Sequence, residues 1–283
     1  MPELAPADAT RWPELEPLLD TVQQRFGERV DAIFLYGSYR RGRRDTIPDF
    51  YVLLSAYPPG LKYLPGRVLP PTVVVMRSGE ASAKVTILTT RQLERAVCGD
   101  FHPYFWARFA QPAPVLYARD ASIRGRCAAI REQAARRLVM AVARCWPSDR
   151  TPPSPAFWVQ AFKLTYGAEM RSESEARIAS VYHTDSHYYD SLLQHYFADA
   201  GLRRHSARVE ALVWRGRQFA GKTLSIARLL KSVLTFEDPI DYLAWKVGRQ
   251  SGVRIEPSER ARRWPLIFGW GYVWRLYRAG GFR

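Results

Sequence analysis

Phe34–Ser55 reads FLYGSYRRGRRDTIPDFYVLLS. An apolar run ends in the turn Gly37-Ser38, a basic loop follows, and Asp49 opens a second apolar run. Short apolar runs bounded by turn residues have the pattern of buried strands, so the stretch predicts strand, turn, loop, strand. Gly37 lets backbone approach an anion closely, and Ser38 offers a hydroxyl. The arginines of the loop supply positive charge. Asp49, at the start of the second strand, is placed to project into a cleft as a metal ligand. Those parts suit transfer chemistry at phosphorus, which needs a phosphate cradle, cations, and carboxylates on metal ions. Such sites usually carry two carboxylates two residues apart. Here the second position is Tyr51. A plain hairpin with an exposed basic loop would use the same residues, so the combination carries the reading, not the Gly-Ser dipeptide.

The pattern extends in both directions. Residues 13–29 predict a helix with Leu15, Leu18, Leu19 and Val22 on one face. The strands of that stretch are placed at 32–36 and 50–54, and further strands are predicted at 72–76 and 84–88. A helix follows from Thr90, its expected cap, with Glu94 in the first turns. Later helices are expected at 120–145, 155–170, 173–182, 187–199, 205–215 and 222–235, with a linker at 147–155. The fold class is α/β: a mixed sheet of four or five strands over 1–118, a helical part over 119–235 in which a winged-helix-like arrangement is one option, and a basic aromatic segment over 236–283.

The formal net charge is +15, which points to anionic partners: nucleotides, nucleic acid or an anionic membrane surface. Most of the cations are arginine, suited to bidentate phosphate contact, although a GC-rich genome also enriches arginine. Cys98, Cys127 and Cys145 are scattered and odd in number, which suggests a reducing compartment and argues against a disulfide framework or a zinc site. The start MPELAPADATRWPELEPLL is acidic and proline-bearing, unlike a secretion signal. No run approaches the roughly 20 apolar residues of a membrane span.

Taken together, the Tyr36-Gly37-Ser38 turn and the Asp49-Phe50 pair resemble the polymerase-β-like nucleotidyltransferases. The closer likeness is to the mitochondrial translocator assembly and maintenance protein family of phosphatidate cytidylyltransferases, with bacterial members. That family also lacks a strict Asp-x-Asp pair. AKVTILTTRQLERAV (83–97) is similar to its lysine-led strand and capped helix, with Lys84 as the lysine. YFWARFAQPAPVLY (104–117) resembles a further segment through Arg108, Pro112 and Val115. LTYGAEMRSESEARIASV (164–181) resembles another through Tyr166, Glu169, Arg171 and Arg177, with Glu where the family has Asp. The family's Gly-Ser-Gly-Val is here Gly-Ser-Tyr-Arg.

The resemblance implies a nucleotidyltransferase domain at the N-terminus and a peripheral enzyme on the cytoplasmic face of a membrane. It would convert CTP and phosphatidate to CDP-diacylglycerol and pyrophosphate with Mg2+, and no specific nucleic acid is expected as a partner. Tyr36, Gly37, Ser38 and Arg108 would bind the nucleotide, and Tyr166, Arg171 and Arg177 the substrate phosphate. Asp49, Lys84 and Glu169 would be catalytic, with Asp49 and Glu169 on the metal. Two alternatives stay open: a soluble nucleotidyltransferase acting on a small molecule or RNA end, and a non-catalytic nucleotide- or membrane-binding relative.

Read without the family, Glu169, Glu173 and Arg177 recur at four-residue spacing and would share one helix face, where a solvated ion pair is the plain reading. GRQFAGKT (216–223) fits the P-loop pattern, but no clear buried strand precedes it. Gly216 and Gly221 are expected instead to separate two helices, with Lys222 on the surface. His183, His187 and His195 lack a metal-site pattern. On a C-terminal helix, Leu266, Ile267, Trp270, Val273, Trp274 and Tyr277 would form one face amid arginines, the composition of an interfacial helix.

Overall fold

In a computed structural model, the described residues are 11–146, 151–169, 175–200, 206–235, 244, 255–263 and 265–279. A sheet of five strands has the order β3-β4-β2-β1-β5. The strands are β1 (Val30–Tyr36), β2 (Asp49–Leu54), β3 (Thr72–Ser78), β4 (Ala81–Thr89) and β5 (Val115–Ala118). β2 and β4 pair in parallel, and the other neighbours are antiparallel.

Both faces of the sheet are covered, so the central strands are apolar at nearly every position rather than alternating. On one face, Ile33 and Leu35 of β1 join Phe50 and Val52 of β2 beneath helix α1 (Glu16–Phe26). That helix buries Leu18, Leu19, Val22 and Phe26, spaced for a single face. On the other face, Phe34 and Tyr51 meet Phe109 edge-on, with ring centroids 5.3 and 5.1 Å away. Phe109 ends helix α5 (Tyr104–Phe109), which follows α2 (Gly37–Arg40), α3 (Leu64–Val68) and α4 (Thr90–Gly99). Buried aromatics of this kind cost about 3–5 kcal/mol to truncate to alanine.

The second face is completed by α6 (Ala121–Ala143), α7 (Ser154–Tyr166), α8 (Glu175–Thr184) and α9 (Ser186–Ala200). From residue 121 onward the described residues with regular structure are helical. Helix α10 (Ala207–Thr235) then crosses the protein, and α11 (Glu259–Arg263) and α12 (Pro265–Arg278) close the described chain.

Three local expectations need correction. The cap of α4 is Thr89, whose hydroxyl accepts from the Gln92 amide while the Gln92 side chain accepts from the Thr89 amide. Thr90 is buried and donates to the Asp31 carboxylate. Gly216 and Gly221 do not separate two helices, because α10 runs unbroken through both. Gly221 is a site of close contact, where a Cβ would stand 2.6 Å from the Ala168 carbonyl oxygen, whereas a Cβ on Gly216 would make only ordinary contact with the Phe101 ring at 3.4 Å. The same continuity rules out a phosphate-binding loop at 216–223, and Lys222 is exposed, as expected. Finally, Glu169 lies in a bend after α7, not on a helix with Arg177; Glu173 falls outside the described residues.

On α12 the buried positions are Tyr272 and Leu276, four residues apart, with Ala261 beside them. Phe268 and Trp274 are exposed. The side chains at 265–267, 270 and 277 lie outside the described residues. Among the described residues, no helix is long and apolar enough to cross a membrane.

Candidate active site

The antiparallel register pairs Tyr36 with Asp49, which sets the Gly37-Ser38 turn beside the Asp49 side chain. The parallel register pairs Asp49 with Lys84, so the two side chains share a face and Lys84 Nζ lies 3.0 Å from Asp49 Oδ1. Desolvation works against the Lys84 ammonium, but the Asp49 carboxylate outweighs it and holds the pKa above its ordinary value.

Gly37 has φ +84°, in the left-handed region that favours glycine. A Cβ there would sit 2.5 Å from Asp49 Oδ2. The bare turn therefore makes the room that the carboxylate occupies. Ser38 Oγ lies 3.1 Å from Thr46 Oγ1, and the Thr46 hydroxyl donates to the Arg43 carbonyl. Thr46 has one proton, so Ser38 donates to Thr46 and keeps its lone pairs for the cleft.

The opposite wall is built from α5 and the bend after α7. Arg108 donates from Nη2 to Glu169 Oε1 at 2.6 Å and from Nη1 to the Tyr51 hydroxyl at 3.2 Å. Its guanidinium stacks 4.3 Å from the Tyr104 ring centroid. Desolvation pulls the Arg108 pKa down, but Glu169 and the surrounding tyrosine hydroxyls more than offset it, so the group stays charged. Burial pushes the Tyr36 and Tyr166 hydroxyls above their ordinary range.

These residues line one cavity of about 160 Å³: Tyr36, Gly37, Ser38 and Asp49 from the sheet side, and Arg108, Tyr166, Glu169 and Arg177 from the helices. Lys84 meets it through Asp49. Arg171 lies outside the described residues. Arg41 and Val181 also line the cavity and were not singled out from the sequence. Arg41 stood among the four arginines of the basic loop with nothing local to mark it.

The Gly-Ser-Tyr-Arg departure resolves simply. Tyr39 and Arg40 are not among the lining residues. Tyr39 is buried and donates to Glu14 Oε1 at 3.0 Å, while Arg40 pairs with Asp185 at the start of α9. Both turn away from the cavity and anchor the turn from two sides.

For magnesium, the donor set is lean. Among the described residues, no cluster of three or more His, Cys, Asp or Glu is placed to hold a metal ion. Magnesium does not need one, because it commonly binds one or two carboxylates and completes its shell with substrate phosphates and water. Lys84 takes Asp49 Oδ1, leaving Oδ2 and the Ser38 lone pairs on the cleft side. That set fits a magnesium ion brought with a polyphosphate, not a preformed metal cage.

No protein-family model matches the chain, and no curated protein matches it. Among solved structures, it is similar to a nucleotidyltransferase-like protein from Exiguobacterium sibiricum 255-15, at 12% identity over 94% of this chain and 92% of that one, with a TM-score of 0.29.

Proposed function

We propose that this chain is a nucleotidyltransferase and, more specifically, a phosphatidate cytidylyltransferase that makes CDP-diacylglycerol and pyrophosphate from CTP and phosphatidate. The observation that carries the reading is the juxtaposition of a bare Gly37-Ser38 turn against Asp49, with Lys84 on one oxygen and Arg108 across the cleft.

In this reading the triphosphate lies along the turn, with Lys84 and Arg108 neutralising charge that builds on it. Asp49 and Ser38 would hold a magnesium ion, which would supply further charge neutralisation on the phosphates. An acceptor phosphate oxygen attacks the α-phosphorus. The new P–O bond forms as the bond to the bridging oxygen breaks, and pyrophosphate departs with the electron pair. Arg41 and Arg177 would orient the acceptor.

Two features support a phosphate acceptor over a hydroxyl. Among the described residues, three arginines line the cleft against two carboxylates. Each carboxylate is already engaged by a cation, Asp49 by Lys84 and Glu169 by Arg108. No histidine is among the described residues of the lining. A neutral hydroxyl would need a proton acceptor. A phosphate monoester is already anionic and needs none. Phosphatidate as the specific acceptor rests on the family resemblance.

The test is a turnover assay with magnesium, each labelled nucleoside triphosphate and phosphatidate vesicles. CTP-dependent labelled lipid is expected, and no labelled lipid above the Asp49→Ala background would refute the proposal. Transfer to a soluble acceptor without lipid would establish the alternative instead.

A further inference from the structure

An amphipathic helix usually turns its apolar side to the core. Helix α10 does the reverse along much of its length. Its inward face carries Glu210, Trp214, Arg217, Gly221, Arg228 and Lys231. Arg217 stacks 4.8 Å from the Trp214 ring, and Arg228 donates to the Pro70 carbonyl at 2.8 Å and stacks 4.2 Å from the Tyr104 ring. Lys231 is buried and donates to the Leu69 carbonyl at 2.6 Å.

The outward face carries Leu212, Phe219 and Ile226, which are 69%, 75% and 49% exposed. Arg208, Arg215 and Lys222 are exposed on the same side. Each trio recurs every seven residues. Seven residues is about two helical turns, so the apolar and cationic rows run side by side for ~21 Å. The one carboxylate of α10, Glu210, is buried on the other side.

We propose that this face of α10 docks on an anionic lipid bilayer, with the apolar row in the acyl boundary and the cationic row at the headgroups. Charge selects that occupant. A second copy of the chain would set cationic row against cationic row. A nucleic acid would meet the cations but leave Phe219 and its neighbours in water. An anionic bilayer satisfies both rows. The inward face of the same helix packs on Ala168, next to Glu169, so the docking face lies about one helix diameter, ~10 Å, from the wall that holds Arg108. The docking does not depend on the chemistry proposed above.

The test is co-sedimentation of the full chain with phosphatidylcholine vesicles, with and without phosphatidylglycerol. Wild type is expected to bind the vesicles containing phosphatidylglycerol and to release with salt. The double variant Phe219→Glu/Ile226→Glu should bind about tenfold more weakly or worse, and Arg215→Gln/Lys222→Gln about tenfold more weakly. Circular dichroism melts check that the variants, all at exposed positions, stay folded. Trp274→Ala separates this face from α12 and should leave most of the binding intact. The proposal is overturned if wild type binds neither vesicle or binds both equally. It is also overturned if both double variants bind like wild type, or if Trp274→Ala alone abolishes binding. A dimer in gel filtration that Phe219→Glu dissolves would make the face a self-interface and equally overturn it.

Discussion

Replacing Gly37 by alanine probes the cleft at its tightest point. The position has φ +84°, where an L side chain costs roughly 1–2 kcal/mol. The new Cβ would stand 2.5 Å from Asp49 Oδ2 and 3.2 Å from Cγ. Ordinary contact begins at 3.4 Å, so the carboxylate must retreat by about 1 Å. Lys84 Nζ, 3.0 Å from Oδ1, must follow or lose the pair. A displacement of about 1 Å at a reacting centre can cost ~10²-fold in rate. Gly42→Ala is the matched control: its φ is +91°, and a Cβ there would meet nothing within 4 Å. Both variants should lose about 1–2 kcal/mol in urea unfolding followed by tryptophan fluorescence. Only Gly37→Ala should lose turnover, by about 100-fold in kcat. If the two variants turn over alike, the contact between the turn and Asp49 does not govern the chemistry, and the reasoning fails.

Gly221→Ala and Gly125→Ala form a second matched pair in helix interiors, where alanine alone is favoured by ~1 kcal/mol. Thermal melts should show Gly125→Ala stabilised, because its Cβ would meet nothing within 4 Å. Gly221→Ala should be destabilised by about 1–3 kcal/mol through its clash with the Ala168 carbonyl. Tyr51→Phe removes the hydroxyl that accepts from Arg108 and should cost about 1–2 kcal/mol in urea unfolding, with a raised KM for nucleotide. Burial, with Arg228 nearby, pulls the Lys231 pKa from 10.5 to about 8. Between those values the unfolded chain binds the proton more than the folded one, so stability should rise with pH across that window. Urea titrations at stepped pH should show the rise in wild type and its loss in Lys231→Met.

The sheet was legible because its central strands are buried on both faces, which leaves unbroken apolar runs at 32–36 and 50–54. Asp49, Gly37 and Ser38 were legible because the chemistry they suit is local to one turn and the strand after it. Tyr51 looked like a lost carboxylate from the sequence. In the fold it is a buried ring whose hydroxyl accepts from Arg108. Contacts between distant segments were not legible. Gly216 and Gly221 read as helix breakers because glycine weakens helices, and the reason for Gly221, the approach of Ala168, is tertiary. The Thr89 cap was missed by one residue because two threonines adjoin and only the backbone decides which one turns. Arg41 was hidden among equivalent arginines. The outward apolar row on α10 was passed over because periodicity shows that a helix has an apolar side but not which way that side faces.

Among the described residues, the last that lines the cleft is Val181, yet α10 binds parts of the protein on both sides of it. Gln218 donates to the Leu164 carbonyl near the end of α7, while Arg228 and Lys231 hold the loop before β3. A premature stop codon between α9 and α10 would thus encode every described lining residue and still remove the strap that joins the sheet's edge to the helical wall. A fragment that keeps both of these holds reaches at least Lys231. A boundary drawn at the last described cleft residue would leave that strap out.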